Sequence, residues 1–186
     1  DIFDGTFDVL NDVQLNTETG VLAGNLTSCN IGAAEKGLVI SNSKISSGNT
    51  HGSNGIGLLA GDVRYSSISN VAVKASAVEA VNSTTVAGGL IGRVYHLTSG
   101  VGTFTYTDLD VAGGEYETTI SDIVLENVSV VGNANSPSRT AGVVGVLQGA
   151  TLKNVQATGM QVSISGSTVS GNTSVVAGAV ALVQSF

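Results

Sequence analysis

Two short signatures alternate along the chain, and this alternation restricts the fold more than any other feature of the sequence. The first is a six-residue pattern. In order, it has an aliphatic residue, any residue, Asp or Asn, any two residues and a second aliphatic residue. It is found at 10–15, 40–45, 68–73 and 120–125, with a weaker copy at 152–157. Its acidic or amide position is occupied in turn by Asp12, Asn42, Asn70, Asp122 and Asn154. Self-similarity at a regular spacing is typical of repeat proteins.

The second signature is a glycine, two aliphatic residues and then glycine or alanine. It is found at 20–23, 57–60, 89–92, 142–145 and 178–181. Its glycines are Gly20, Gly57, Gly89, Gly92, Gly142, Gly145 and Gly178. The repeat is about 30 to 37 residues long, and one spacing is longer by about 20 residues. The two signatures together indicate about five repeats.

The repeats predict strands, because two-residue alternation and β-branched residues dominate and no long segment has helical periodicity. A unit of two short strands cannot bury its own apolar face, whereas stacked units bury a continuous core. Equivalent residues would then lie about 4.8 Å apart, so that the Asx positions form a ladder and the glycines permit close packing. The sequence therefore predicts one all-β domain over residues 1–186, a parallel β-helix (β-solenoid) of about five stacked repeats.

The long spacing predicts an inserted loop or hairpin at 98–118, where acidic and aromatic side chains concentrate. One interpretation is a hairpin that projects from the wall of the repeats. A second is a surface that contacts a sugar or a partner protein, since binding residues often lie on loops. A third is a Ca²⁺ site, although the spacing differs from that of an EF-hand. The candidate contact residues are Tyr106, Asp108, Asp110, Glu115 and Tyr116.

The charge content argues against several classes of partner. Charged residues make up 11% of the chain, against about 25% in an average domain. The net charge is −7 and the few lysines and arginines are scattered, so we expect no nucleic-acid surface. The longest apolar run, 175–183, is too short to span a bilayer. The lone Cys29 has no partner for an internal disulfide, and we interpret it as a small buried residue.

No pattern in the sequence favours catalysis. Residues 55–60 satisfy the G-x-G-x-x-A dinucleotide pattern, but that pattern requires a helix after it, and here the segment is one copy of the repeat. His51 and His96 have no partner at metal-ligand spacing. The acidic residues lie mainly near the start of the chain and in the insertion, not as the paired carboxylates of a glycosidase wall. We therefore expect no catalytic residue, no cofactor and no metal, apart from the Ca²⁺ interpretation above.

The second signature resembles a known repeat. Gly-Leu-Ile-Gly at 89–92 is similar to the core of the GLUG motif, and ISNVAV at 68–73 is similar to the strand that accompanies it. The resemblance covers about residues 10 to 183, although three copies end in alanine. GLUG repeats are found in large surface and secreted proteins, including adhesin-like chains. The resemblance implies a repeat scaffold outside the cell and supplies no catalytic residues.

The repeats run close to both ends of the sequence, and no capping segment stands out. Because a bare end of stacked strands is a template for another chain, we expect head-to-tail self-association or a neighbouring domain, with 175–183 as the docking edge. The segment 1–7, with Ile2, Phe3 and Phe7, is either the partner of that edge or a small cap that folds back. The predicted function is an extracellular, non-enzymatic structural module of a cell-surface filament, appendage or adhesin. The alternative is a carbohydrate-binding or polysaccharide-cleaving β-helix that uses the 98–118 insertion.

Overall fold

The fold was analysed in a computed structural model of the chain. The structure describes residues 5–8, 13–15, 18–47, 55–80, 86–95, 117–134, 138–166 and 174–184. Within these ranges the chain forms twenty β-strands and no helix. The prediction of an all-β fold is confirmed.

The strands fall into four sheets, here called A to D. Sheet A contains β1 (Gly5–Asp8), β4 (Asn30–Ile31), β5 (Leu38–Ser41), β9 (Ser67–Lys74), β13 (Thr118–Glu126) and β17 (Ala150–Thr158). Sheet B contains β2 (Val13–Leu15), β6 (Lys44–Ser47), β10 (Ala77–Ala80), β14 (Ser129–Asn133) and β18 (Gln161–Ser165). Sheet C contains β7 (Gly55–Gly57), β11 (Val86–Gly88), β15 (Arg139–Ala141) and β19 (Val175–Ala177). Sheet D contains β3 (Ala23–Thr27), β8 (Ala60–Arg64), β12 (Ile91–Val94), β16 (Val144–Gln148) and β20 (Val180–Gln184).

The chain visits the sheets in the order A, B, C, D and then returns to A, which defines a repeating unit. Unit one contains β1, β2 and β3, and its sheet C position is held by Thr19, which bridges to Ile56. Unit two contains β4 to β8, with β4 and β5 sharing the sheet A position. Units three, four and five are β9–β12, β13–β16 and β17–β20. Each unit therefore occupies one position in each of the four sheets, whereas the two signatures predicted two strands per unit.

Each strand pairs in parallel with its counterparts in the neighbouring units, as the repeats predicted. We call residues that this register aligns across units a column. One column of sheet A contains Val71, Ile123 and Val155, and the two members from units three and four are almost completely buried. The core is therefore made of aliphatic columns, as expected for a chain with 4% aromatic residues.

Single residues in the left-handed backbone conformation make the corners between sheets. Between sheets A and B the residues are Asn42, Ala75, Asn127 and Gly159, with φ values of 47°, 46°, 54° and 64°. Between sheets D and A they include Ser28, Tyr65 and Gly149. Only glycine and, less easily, Asn or Asp adopt this conformation routinely. These corners divide each unit into its separate walls.

A small side chain after the left-handed residue completes several corners. The Oγ of Ser43 donates a hydrogen bond to Ser41 O (2.8 Å), and the Oγ of Ser76 donates to Lys74 O (2.7 Å). Ser43 N in turn donates to the Oγ of Ser76 in the next unit (3.1 Å). Cys29 follows the same geometry, because its Sγ donates to Thr27 O at 3.3 Å. Cys29 is half-buried and takes the place of a corner serine, so its role is more polar than the sequence predicted.

Candidate functional site

The turn between sheets C and D contains the glycine signature. Register places Gly20 and Gly57 in one column with Gly88, whereas the sequence pattern had aligned Gly57 with Gly89. The signature is therefore displaced by one residue between the second and third units. A second column contains Gly24, Gly61, Gly92 and Gly145, and a third contains Gly89, Gly142 and Gly178.

The glycines are required because backbones meet at this turn. A Cβ on Gly61 would lie 2.5 Å from Gly55 O, and a Cβ on Gly145 would lie 2.9 Å from Ala87 O, so both of these sheet D glycines meet the backbone of sheet C. Such distances are essentially never seen for a real Cβ atom. The column of Gly61, Gly92 and Gly145 therefore allows strands of sheets C and D to pack backbone against backbone, and Gly89 allows a close approach to Gly142 O of the next unit, which are architectural roles.

Three members of the predicted Asx column stack on sheet A. Asn70, Asp122 and Asn154 interrupt their strands at the same place, with φ values of 52°, 56° and 51°. Asn154 Nδ2 donates to Asp122 Oδ1 at 3.0 Å. The pKa of Asp122 lies below its ordinary value, first because of this Asn154 amide and second because of a hydrogen bond from the Ser121 hydroxyl. The column is a ladder of left-handed bends, exposed at Asp122 and Asn154 and half-buried at Asn70.

The other two predicted members of that column have different outcomes. Asn42 lies in the corner between sheets A and B beside Ala75, because Ile40 aligns with Val73 and not with Ile68. In unit two, residues 32–37 form a loop where later units have the left-handed bend, and Asn70 Nδ2 donates to Ala33 O of that loop (3.0 Å). Asp12 lies outside the described residues.

A buried charge cluster on sheet D was not anticipated from the sequence. Asp62 is completely buried and forms an ion pair with Arg93 of the next unit, including a contact from Arg93 Nε to Asp62 Oδ1 at 3.3 Å. Gly55 N also donates to Asp62 Oδ1 (3.1 Å). Burial raises the pKa of Asp62 above its ordinary value, while Arg93 opposes that shift. Asp62 and Arg93 thus fix two neighbouring units relative to each other.

The same cluster contains an aromatic ring that lies close to two cations. The guanidinium carbons of Arg64 and Arg93 lie 4.4 Å and 4.3 Å from the centre of the Tyr95 ring. Such cation–π contacts contribute about 0.5–1 kcal/mol each at exposed sites. Burial raises the pKa of Tyr95, with Arg64 acting in the opposite direction. The arginines and the tyrosine therefore bind one another.

The predicted contact residues of the insertion, Tyr106 to Tyr116, lie outside the described residues, as do His51 and His96. The described residues on either side of this segment are Tyr95, after β12 of sheet D, and Glu117, before β13 of sheet A. Thr118, which the sequence placed at the end of the insertion, is the first residue of β13. The sugar, partner and Ca²⁺ interpretations of this segment stay predictions.

Two large apolar side chains are exposed on the described surface, and both lie in unit five. Val183 is 69% exposed, although Val63, Val94 and Leu147 of its column are at most 8% exposed. Val176 is 46% exposed, and the other members of its column are almost completely buried. Those other members are Thr19, Ile56, Ala87 and Thr140. Positions that are core in four units are therefore open on the outer side of unit five.

The described part of the chain has no cluster of three or more His, Cys, Asp or Glu side chains that could hold a metal ion. It also has no helix of the length and apolarity that a membrane crossing requires.

Comparison of the chain with protein-family models, with curated proteins and with solved structures gave no match. Membership of the GLUG repeat family stays a prediction.

Proposed function

We propose that this protein is a non-enzymatic, extracellular structural module of a cell-surface filament, appendage or adhesin. In this proposal the four sheets are the walls of one β-solenoid of five stacked coils, each coil being one unit. The module self-associates through the open face of unit five. No specific observation favours the carbohydrate alternative.

The observation that carries the proposal is the exposure of core positions on unit five. Val176 and Val183 occupy columns that other units bury, and they lie on the outermost described strands of sheets C and D. Covering an aliphatic side chain of this size contributes roughly 1.5–3 kcal/mol. Strands β17 to β20 are each the last described strand in their sheet, so their outer backbone groups are suited to pairing with added strands.

The way in which the chain uses its polar groups supports a structural role. Asp62 and Arg93 neutralise each other in the wall, and Asn154 and Asp122 bond along the ladder. Two exposed ion pairs, Lys44–Glu79 (3.4 Å) and Lys74–Glu126 (3.2 Å), likewise join adjacent units. These groups serve the register between coils and are not gathered around a cleft.

Light scattering and negative-stain electron microscopy of the purified chain test the proposal. We expect linear polymers from the parent chain and monomers from Val183→Asp, because a carboxylate at this position would be buried in the contact without a partner. Ser163→Asp, on the exposed face of β18, is the matched control and should still polymerise. A parent chain that stays monomeric at all concentrations would refute self-association. Protease accessibility of the protein on intact source cells tests the extracellular assignment separately.

A further inference from the structure

We propose that unit five of one copy binds unit one of a second copy, in the register that neighbouring units already have within the chain. This inference rests on the proposed function and specifies its partner. The occupant of the open face around Val176 and Val183 is then the coil formed by β1, β2, Thr19 and β3 of a second copy of this chain.

The direction of the strands selects this occupant. Every pairing between named strands is parallel, and unit one and unit five occupy opposite edges of sheets A, B and D. Opposite edges of a parallel sheet can join with the strand direction preserved. Two copies of the same edge can join only about a two-fold axis, which makes the new pairs antiparallel. Head-to-tail stacking alone therefore extends the existing parallel ladder.

The columns of sheets C and D match across such a contact. Continuing the observed register places Leu26 of the second copy on Val183, because Leu26 aligns with Val63 within the chain. It places Thr19 of the second copy on Val176, as Thr19 lies on Ile56. The aliphatic column of Val183 would thus be continued by another aliphatic residue. Thr19 and Leu26 are already buried within a single chain, as are the members of these columns in units two, three and four, so the contact requires that the groups covering Thr19 and Leu26 be displaced.

The same register sets the neighbours in the other walls. It places β1 of a second copy next to β17, and its β3 next to β20. With strands about 4.8 Å apart, five coils give a rise of about 24 Å per subunit.

The charges permit this contact and make it depend on salt. Asn25 and Thr27 of the second copy face Leu182 and Gln184, so the described outer positions of sheet D bring no like charges together. Each chain nevertheless has a net charge of −7, which repels other copies at long range. Polymerisation should therefore be faster at 0.15 M salt than at 0.01 M, where the screening length increases from about 8 Å to about 30 Å.

Disulfide trapping tests the register. In a Cys29→Ser background, one preparation carries Thr27→Cys and the other carries Gln184→Cys, so that each chain has one thiol. Serine suits position 29 because Cys29 already bonds as the corner serines do. Neighbouring strands in a column place Cα atoms within the 4.4–6.8 Å range of disulfides. We expect the mixture to give covalent dimers under mild oxidation, and we expect none from Thr27→Cys mixed with Ser163→Cys, the control on sheet B.

The outcomes separate this inference from the proposed function. If polymers form but Thr27→Cys does not cross-link to Gln184→Cys, the register is overturned and self-association stands. The same holds if the control mixture cross-links equally well. Dimers of Gln184→Cys with itself, formed in place of the mixed dimer, indicate edge-to-edge two-fold contact and also overturn the register. Absence of both polymers and cross-links overturns the inference and the proposed function together.

Discussion

Gly92 of β12 packs against Gly55 of β7, a strand of the preceding unit, so closely that a Cβ on Gly92 would lie 2.6 Å from the Gly55 Cα. The same Cβ would collide with the amide nitrogen of Ile56. Sheets C and D therefore meet at this point through their backbones, with no room for a side chain. This contact explains why the column of Gly92 contains glycine in units one to four and the small residue Ala181 in unit five.

Gly92→Ala should therefore destabilise the protein strongly. Overpacking typically costs about 1–3 kcal/mol, and here backbone atoms on two walls would have to move, so we expect a loss of at least about 2 kcal/mol. Gly178→Ala is the control, because a Cβ at Gly178 meets nothing within 4 Å. Urea unfolding in the Val183→Asp background, which keeps the chain monomeric, measures both. Equal, small losses in the two variants would show that the backbone contact at Gly92 is absent.

Removing Arg93 should leave Asp62 as a buried charge without its cation. We expect Arg93→Val to lower the free energy of unfolding at pH 7 by about 3–5 kcal/mol. Asp62→Asn/Arg93→Val should recover much of that loss, since the amide can accept from Gly55 N without a charge and the next unit has Val146 in the same column. Urea titrations of the two variants provide the comparison, and a double variant no more stable than Arg93→Val would contradict it.

The loss in Arg93→Val should also depend on pH. Burial already raises the pKa of Asp62, so the folded state binds the proton more tightly than the unfolded chain does. The contribution of this group to stability is then complete below the ordinary pKa of 3.8 and is lost as pH rises through the raised value. The difference in unfolding free energy between Arg93→Val and the double variant should therefore shrink as pH falls from 7 towards 4. A difference that grows on acidification would reverse the assigned direction.

Thr140→Val should stabilise the protein, because Thr140 Oγ1 is buried and has no hydrogen-bond partner among the described residues. The valine methyl group replaces the hydroxyl at nearly the same volume, and unit five already has Val176 in this column. We expect a gain of about 1 kcal/mol in thermal or urea unfolding. Thr118→Val is the contrast, since Thr118 Oγ1 accepts from Ser66 N (3.4 Å) and its loss should destabilise. The same sign for both variants would contradict this account.

Ala75→Asn should raise the melting temperature. Ala75 has a φ of 46°, in a corner column whose other members are Asn42, Asn127 and Gly159. The left-handed conformation costs an ordinary L-residue about 1–2 kcal/mol, and asparagine tolerates it better. Ala72→Asn, within β9, is the control and should be neutral or destabilising, because asparagine is unfavourable in strands. A lower melting temperature for Ala75→Asn would show that the corner is not strained.

The sequence predicted the fold class because columns of similar residues leave a periodic trace. Asn70, Asp122 and Asn154 have similar neighbours in sequence and the same place in sheet A, so the sequence pattern was sufficient to align them. Asn42 has similar neighbours but lies in a corner, because the loop at 32–37 shifts unit two relative to the others. A local motif cannot reveal such a shift.

The glycine signature and the charge cluster show what a short motif leaves out. Gly57 and Gly89 begin similar tetrapeptides, yet the register aligns Gly57 with Gly88, because the packing of sheet C on sheet D sets the position of each glycine. Asp62 and Arg93 lie 31 residues apart and meet only after that register is fixed. Neither the shift nor the ion pair leaves a signal in the sequence.

The most direct test of the central claim is the helical reconstruction, by cryo-electron microscopy, of polymers formed by the purified chain. The account predicts a single strand of head-to-tail subunits with a rise of about 24 Å and parallel β-strands about 4.8 Å apart across every subunit junction. Subunits related by two-fold axes, a junction that leaves Val183 exposed, or the absence of any polymer would contradict it.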